Sequence, residues 1–349
     1  MSGRAGVLVA APGARRAPST LTPRGPDEEE LVMRELAGTA RQWAAEGRGG
    51  VLARPLTERG FGPKRPADAL LIDADGRCHG SLYRGAFDRR LAEEATALTA
   101  SGRTARVCAV SVHDDEVRRA RLTCGGQAEI LLQPLSAVPA RWWELLAEGA
   151  DAALLTRLDA PRTGAVSTVL DAGAGTGPSD AAAEQARALM ARHRAGRETL
   201  PAGDGVVLIE TCPAVPHLVI VGAGELAELL QAQARLLEWR ATATEDLARA
   251  RELIAACPAA ACVVVLSHEP DVDAPVLHTA LTGGVPYVGA LGSRHTQERR
   301  TAALLAAGLD EELLRAVHGP IGLDLGARTP AETALAICAE VLTALAGKP

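Results

Sequence analysis

The feature that most constrains this chain is an alternation of apolar strands and amphipathic helices that begins at His217. Strands that are apolar along their whole length and separated by helices pair in parallel, and the helices then cover both faces of the sheet. The pattern predicts an α/β fold with a doubly wound parallel sheet in a domain spanning residues 213–349. The predicted strands are 217–221, 240–245, 261–267 and 286–291, and the predicted helices are 225–238, 247–256, 275–283, 294–307 and 330–346.

The first turn of this region carries a phosphate-binding pattern. The strand 217–221 is followed by Gly222, Ala223 and Gly224, and Ala227 completes the spacing G-x-G-x-x-A. Gly222 permits a tight turn, Gly224 lets backbone N–H groups approach a pyrophosphate, and Ala227 keeps the helix close to the sheet. The helix N-terminus adds unpaired N–H donors and the positive end of its dipole. The order strand, turn, helix is typical of a Rossmann-type nucleotide-binding domain, and the alternative is a structural glycine turn that binds no nucleotide.

The next strand ends in Glu245 and Asp246, at the spacing expected for an acid that binds ribose hydroxyls. An acid at Glu245 would repel a 2′-phosphate. The pattern therefore favours NAD over NADP.

Three polar segments follow later strands, where ligands of open α/β sheets bind. They are 267–273, 289–294 and 318–326, and they contain the candidate ligand-binding residues Gly292, Ser293 and Asp324. His268 could act as a general acid–base or a metal ligand. Alternatively, His268 and Asp273 only cap the following helix and hold the loop. Each residue alone fits this structural explanation, whereas the three loops together predict a ligand site.

The N-terminal part is predicted to form a smaller mixed α/β domain over residues 28–212, after a disordered tail at 1–27 that contains four arginines and no acid before Pro26. A hairpin is predicted around the Asp75-Gly76 turn because this dipeptide suits tight turns. The other predicted strands are 51–55, 105–111, 119–123, 128–132, 152–158, 166–170 and 205–210, and the predicted helices are 29–46, 85–99, 140–149 and one from 179 to about 194.

Composition excludes several classes of protein. The net charge of -6 and the absence of a basic run disfavour nucleic acid as a partner, and an aromatic content of 2% disfavours base stacking. No apolar run is long enough to span a membrane. The seven cysteines are scattered and form neither C-x-x-C nor a zinc-like cluster, so no metal site is predicted. This usage favours a reducing, cytoplasmic compartment.

Four motifs occur in order in the C-terminal region, at Leu218–Gly224, Leu266–Asp273, Tyr287–Arg294 and Gly322–Pro330. Together they resemble the XdhC/CoxI family, the xanthine dehydrogenase accessory proteins. The resemblance covers roughly residue 28 to the end, including the N-terminal segments 66–73, 80–81 and 122–135. It implies a protein, often dimeric, that binds molybdenum cofactor, protects it while a cysteine desulfurase adds the terminal sulfur, and helps insert it into a molybdenum hydroxylase.

The chain departs from the family pattern at two places. The usual Gly-Ser-Val-Ser-Gly-Gly-Cys-Val-Glu reads Gly-Ser-Leu-Tyr-Arg-Gly-Ala-Phe-Asp here, so Ala86 replaces a cysteine that could supply a thiolate to a soft metal. Glu225 replaces the usual histidine after the glycine turn. Cys124 remains in a Cys-Gly-Gly turn as a candidate cofactor-binding residue, and its alternative is a small buried hydrophobe.

Three functions remain open at this stage. The first is a molybdenum cofactor chaperone. The second is an NAD-dependent oxidoreductase acting on a small molecule, in which His268, Asp273 and Arg294 form the catalytic site and Arg294 anchors an anionic substrate. The third is a non-catalytic protein that only binds a partner.

Overall fold

The N-terminal region is built around two antiparallel sheets. The computed structural model describes residues 33–61, 68–113, 117, 122, 124–171, 180–192, 195–267 and 269–347. The predicted tail at 1–27 and the strand predicted at 119–123, apart from Leu122, therefore lie outside the described residues. The elements are α1 (Leu36–Ala45), β1 (Gly50–Gly60), β2 (Leu70–Asp73), β3 (Cys78–Gly80), α2 (Asp88–Ser101), β4 (Arg106–Val112), β5 (Gly126–Pro134), α3 (Ala140–Glu148), β6 (Ala152–Leu158), β7 (Ala165–Asp171), α4 (Ala181–Met190), β8 (Gly196–Ala202) and β9 (Gly205–Cys212).

The two sheets form layers with helices between and outside them. Their strand orders are β3-β2-β1-β5-β4 and β7-β6-β9-β8. Helix α2 covers one face of the first sheet, α1 and α3 pack against its other face, and α4 covers the second sheet. A buried polar group also joins the sheets, because Arg54 on β1 forms an ion pair with Glu210 on β9 at 3.1 Å. The prediction of a mixed α/β region is confirmed.

Local predictions in this region are partly confirmed. The hairpin forms β2 and β3, and Gly76 occupies its turn at a φ of 79°. The helix predicted from residue 85 begins at Asp88, because Tyr83, Arg84 and Gly85 all have positive φ and form a left-handed turn. Strand β8 was not predicted, since its polar and partly exposed residues lack the apolar alternation of a typical strand.

The C-terminal region is a parallel sheet, as predicted, but it has five strands where the sequence predicted four, because the short strand at Val317–His318 was not predicted. Its strand order is β11-β10-β12-β13-β14, so the order in which strands are added reverses between β10 and β12. The elements are β10 (His217–Val221), α5 (Glu225–Leu236), β11 (Arg240–Thr244), α6 (Leu247–Ala256), β12 (Ala261–Val265), α7 (Pro270–Thr282), β13 (Tyr287–Ala290), α8 (Arg294–Ala306), α9 (Glu311–Leu314), β14 (Val317–His318) and α10 (Pro330–Leu345).

Helices cover both faces of this sheet. Helices α5 and α10 pack on one face, and α6, α7 and α8 pack on the other. Helix α10 begins with a capping box, in which Thr329 and Glu332 exchange side-chain and backbone hydrogen bonds. Helix α7 begins at Pro270 and not near Pro275, which lies inside it.

The strand register aligns the carboxyl ends of the sheet. Val221 of β10 lies beside Thr244 of β11 and Val265 of β12, and Val265 lies beside Ala290 of β13. The four segments that follow these strands therefore leave the sheet at one level. This edge is where the candidate site is built.

Candidate functional site

The glycine turn after β10 is tight and open toward the outside. The Gly222 N–H donates to Thr244 O at 2.9 Å, and a Cβ at Gly222 would meet Leu266 Cβ at 3.0 Å. Gly222 therefore packs closely against Leu266, which follows β12. A larger residue at position 222 would have to displace Leu266. Gly224 has a φ of 92° and a ψ of -173°, a region that essentially only glycine occupies. A Cβ at Gly224 would meet nothing within 4 Å.

Helix α5 offers its first N–H groups to this open space. Gly224 is its N-cap residue, and no side chain among the described residues caps the helix. The first turn contains Glu225, which is exposed, and Glu228. Ala227 is 2% exposed and packs against the sheet, as its place in the motif predicts. The turn thus has the geometry of an anion site, with acids beside it in place of neutral or basic side chains.

The acids after β11 have two different positions. Asp246 caps α6 by accepting from the N–H groups of Ala248 and Arg249 at 2.9 and 3.2 Å. Glu245 is exposed beside it, next to the glycine turn in strand order. Glu245 is therefore the acid that is free of the capping role.

A buried arginine holds two of the edge segments together. Arg300 of α8 is 1% exposed and pairs with Asp273 of α7 at 3.0 Å. The same guanidinium donates to Ser267 O and Leu291 O, each at 3.2 Å, and to Gln297 Oε1 at 2.8 Å. Arg300 thus links the segment after β12 to the segment after β13.

Asp273 was predicted to be catalytic, but its side chain is fully buried in this pair. This placement favours the alternative stated above, that Asp273 holds the loop. His268 lies outside the described residues. Arg300 and Gln297 were missed by the sequence reasoning, since nothing in their spacing tells a buried arginine from the exposed ones on the same helix.

The segment after β13 forms the start of α8. Gly292 has a φ of 135°, and a Cβ there would meet Thr296 at 2.9 Å. Ser293 caps the helix by accepting from the Thr296 N–H at 3.3 Å. Arg294 is exposed at the first helical position and is the predicted anion anchor. Asp324 is exposed in the segment between β14 and α10, which runs alongside α10.

Cys124 belongs to a different part of the molecule. It is exposed just before β5 of the first N-terminal sheet, where the Phe61 N–H donates to Gly125 O at 3.0 Å. Ala86, in the place of the family cysteine, is fully buried in the core under α2. Among the residues that the structure describes, no group of three or more His, Cys, Asp or Glu side chains could hold a metal ion.

Comparison with known proteins agrees with this architecture. Residues 218–341 match the XdhC Rossmann domain, and residues 43–110 match the XdhC and CoxI family. The two matches together cover more than half of the chain. The chain belongs to the XdhC and CoxI family.

Two individual proteins are also similar to this family member. A crystal structure of a Bacillus halodurans protein described as a xanthine dehydrogenase superposes with a TM-score of 0.56 at 18% identity, covering 91% of this chain and 97% of the other. At this identity the likeness concerns the fold alone. The uncharacterized protein YqeB of Escherichia coli K12 is 28% identical over 146 residues, which are 36% of this chain and 27% of that protein. The match thus spans about a quarter of that relative's length.

No helix within the described part of the chain is both long enough and apolar enough to cross a membrane.

Proposed function

We propose that this chain is an XdhC-like accessory protein that binds molybdenum cofactor and aids its sulfuration and insertion into a molybdenum hydroxylase. The observation that carries the proposal is the open, uncapped N-terminus of α5 behind Gly224, in a chain of this family. The proposed partners are a cysteine desulfurase and the hydroxylase. The role implies a cytoplasmic location, and a homodimer is the expected assembly.

The site suits the phosphate end of a pterin phosphate. The N–H groups of the first turn of α5 and its positive dipole end favour an anion, and the glycines allow it to approach the backbone. The strand order β11-β10-β12-β13-β14 is the doubly wound order in which a mononucleotide binds where the strand order reverses, here between β10 and β12. A ligand with a single phosphate therefore fits this sheet better than a dinucleotide does.

The proposal places no ligands for the metal end of the cofactor on this chain. The described residues contain no cluster of metal-binding side chains, and the predicted cofactor-binding residue Cys124 lies on another sheet. We infer that the chain holds the cofactor through its phosphate and pterin and that the desulfurase supplies the sulfur chemistry.

The proposal can be tested by loading the protein in cells. The full chain is co-produced with the enzymes of cofactor synthesis, purified, and oxidised so that any bound pterin is released as a fluorescent product. Gly224→Ala should lower the pterin content at least tenfold, because its Cβ enters the space left for the anion. Gly308→Ala is the matched control, since Gly308 has a φ of 91°, an open environment and a position after α8. A pterin-free wild-type chain beside a family member that loads would refute the proposal.

The second candidate is an NAD-dependent oxidoreductase. The observation that favours it is Glu245, which is exposed at the end of β11 and is free to accept hydrogen bonds from ribose hydroxyls. His268 would then exchange protons with a small-molecule substrate, and Arg294 would hold its anionic group. Calorimetry with NAD tests this candidate. Glu245→Gln should weaken the binding of a dinucleotide but leave the binding of a pterin phosphate largely unchanged. If NAD, NADP and their reduced forms all give no heat of binding, the oxidoreductase function is refuted.

A further inference from the structure

A second group of polar residues lies at the outer strand of the same sheet. His318 ends β14, and its Nδ1 lies 3.3 Å from Glu340 Oε1 on α10. The other carboxylate oxygen accepts from the Gly322 N–H at 2.8 Å and from the Tyr287 hydroxyl. The rings of Tyr287 and His318 stack at 4.8 Å with an interplanar angle of 31°. One carboxylate thus receives three donors, and the histidine ring is held on two sides.

The electrostatics of the group define which atom gives and which receives a proton. Partial burial acts to raise the pKa of Glu340, but the hydrogen bonds from His318, Tyr287 and Gly322 outweigh it and hold the pKa below its usual value. Burial, and then the contact with Glu340, raises the pKa of Tyr287, so its hydroxyl stays protonated. Cys262 and Cys338 are the other titratable groups that act on Tyr287. Because Glu340 is an acceptor only, Nδ1 of His318 carries a hydrogen, and the tautomer with this arrangement has its lone pair on Nε2.

The histidine is the most exposed member of this group. The side chain of His318 is 38% exposed and that of Glu340 is 14% exposed. Within the described residues, Nε2 has no hydrogen-bond partner. Gly322 and Tyr287 would anchor the segment before α10 to Glu340 without any histidine. The anchoring of this segment therefore does not require the imidazole, which is partly exposed and has a free Nε2.

The group lies on the face of the sheet that α5 and α10 cover. Tyr287 shares a core with α5 and α10, and His318 contacts both Tyr287 and α10. His318 lies beside Gly289, one residue before the end of β13. Three strand spacings separate β10 from β14, which is about 14 Å. An extended ligand with its phosphate at α5 could direct its other end toward β14.

We propose that His318 is the proton-transferring group for the non-phosphate end of the ligand, with Glu340 and Tyr287 as its positioning residues. The inference rests on the ligand site proposed above and specifies its substrate class, an extended phosphorylated heterocycle with an ionisable N–H or O–H group. His318 Nε2 accepts a proton from that group, and Glu340 stabilises the imidazolium that forms. The same nitrogen then returns the proton to the ligand, so no other reactant is needed. The arrangement follows the logic in which a carboxylate orients a histidine for acid–base work.

The test is nuclear magnetic resonance of the full chain labelled with ¹⁵N and ¹³C, using two probes. The first probe is a pterin with a side-chain phosphate, and the second is inorganic phosphate. Pterin phosphate should shift both the amides of Gly224 and Glu225 and the Nε2 signal of His318. Inorganic phosphate should shift only the amides. This pair of results supports the inference.

Two results would overturn it in distinguishable ways. If pterin phosphate shifts the amides but leaves the His318 signals unchanged, the ligand site stands and the role of His318 is refuted. If neither probe shifts the amides, the proposed function itself fails and this inference fails with it.

The role of Glu340 has its own readout. Nitrogen shifts show which ring nitrogen carries the hydrogen, and wild-type His318 should be in the Nδ1–H form. Glu340→Gln places an N–H₂ group against these donors and should weaken that preference. Glu298→Gln is the matched control, since Glu298 pairs with His295 at 3.7 Å on an exposed surface, and it should leave the His318 signals unchanged. An unchanged Nδ1–H preference in Glu340→Gln would refute positioning by Glu340.

Discussion

The ion pair between Asp273 and Arg300 gives the sharpest prediction about the stability of the candidate site. Both side chains are at most 1% exposed, and they meet through a single contact of 3.0 Å. Removing one partner of a buried pair leaves the other charge desolvated, which costs about 3–5 kcal/mol. In Asp273→Asn, the amide oxygen and three neutral acceptors still face the guanidinium. We therefore expect the lower end, about 3 kcal/mol, or roughly a 150-fold larger opening equilibrium.

The loss should be confined to the strands and loops that Arg300 joins. Hydrogen exchange followed by mass spectrometry can measure it in peptides from β12, β13 and α8. The matched control is Glu252→Gln, because Glu252 pairs with Arg249 at 3.1 Å while more than half of each side chain is exposed. An exposed pair contributes about 0–1 kcal/mol, so this variant should exchange almost like the wild type.

A double replacement separates desolvation from packing. Asp273 Oδ1 and Arg300 Nε are buried and have no hydrogen-bond partner among the described residues, so the pair does not fully offset its desolvation. Replacing both residues, as Asp273→Leu with Arg300→Met, should cost less than Asp273→Asn alone. If Asp273→Asn lies within about 1 kcal/mol of the Glu252→Gln control, the reasoning from a desolvated charge is refuted.

Three further predictions concern the glycine turn, the carboxylate on α10 and the exposed thiol. Gly224→Ala should destabilise the protein by about 1–3 kcal/mol, because its backbone region essentially excludes other residues, and Gly308→Ala by about 1 kcal/mol; equal urea midpoints would contradict this difference. The folded-state pKa of Glu340 is lowered, so its contribution is complete above the ordinary value of 4.5 and is lost as the pH falls through the folded-state value. The stability gap between wild type and Glu340→Gln should therefore shrink between pH 6 and pH 3.5, and a constant gap would count against the network. Brief labelling with a thiol reagent should modify exposed Cys124 before Cys212, whose pKa burial raises to about 12, and peptide mass spectrometry would expose the opposite order.

The C-terminal sheet could be predicted from the sequence because its signals are local. The strand at 217–221 was predicted with its observed bounds, since it is apolar on both faces and ends at the glycine turn. The start of α7 was predicted at residue 275 but lies at Pro270, because two prolines give conflicting signals. Pro270 occupies the first turn, where proline is tolerated, while Pro275 lies inside the helix, where proline usually interrupts the pattern. In the N-terminal region the left-handed turn at Tyr83 and Arg84 was not predicted, because neither residue type favours positive φ.

In the candidate site, too, features set by local sequence could be predicted, and features set by contacts between distant residues could not. The glycines could be identified from the sequence because backbone conformation restricts the residue type at their own positions. The partners of Arg300 and His318 could not, because Asp273 and Glu340 lie 27 and 22 residues away and meet them only after the sheet has formed. Sequence reasoning assigned Asp273 to catalysis on the basis of its place after a strand, which it shares with exposed acids such as Glu245. Burial distinguishes a structural role from a ligand-binding role. A buried charge such as Asp273 holds the segments at the carboxyl edge of the sheet together, whereas an exposed charge is available to bind a ligand. By this criterion Arg294, Glu245 and His318 are the side chains of the described edge from which ligand recognition should be sought first.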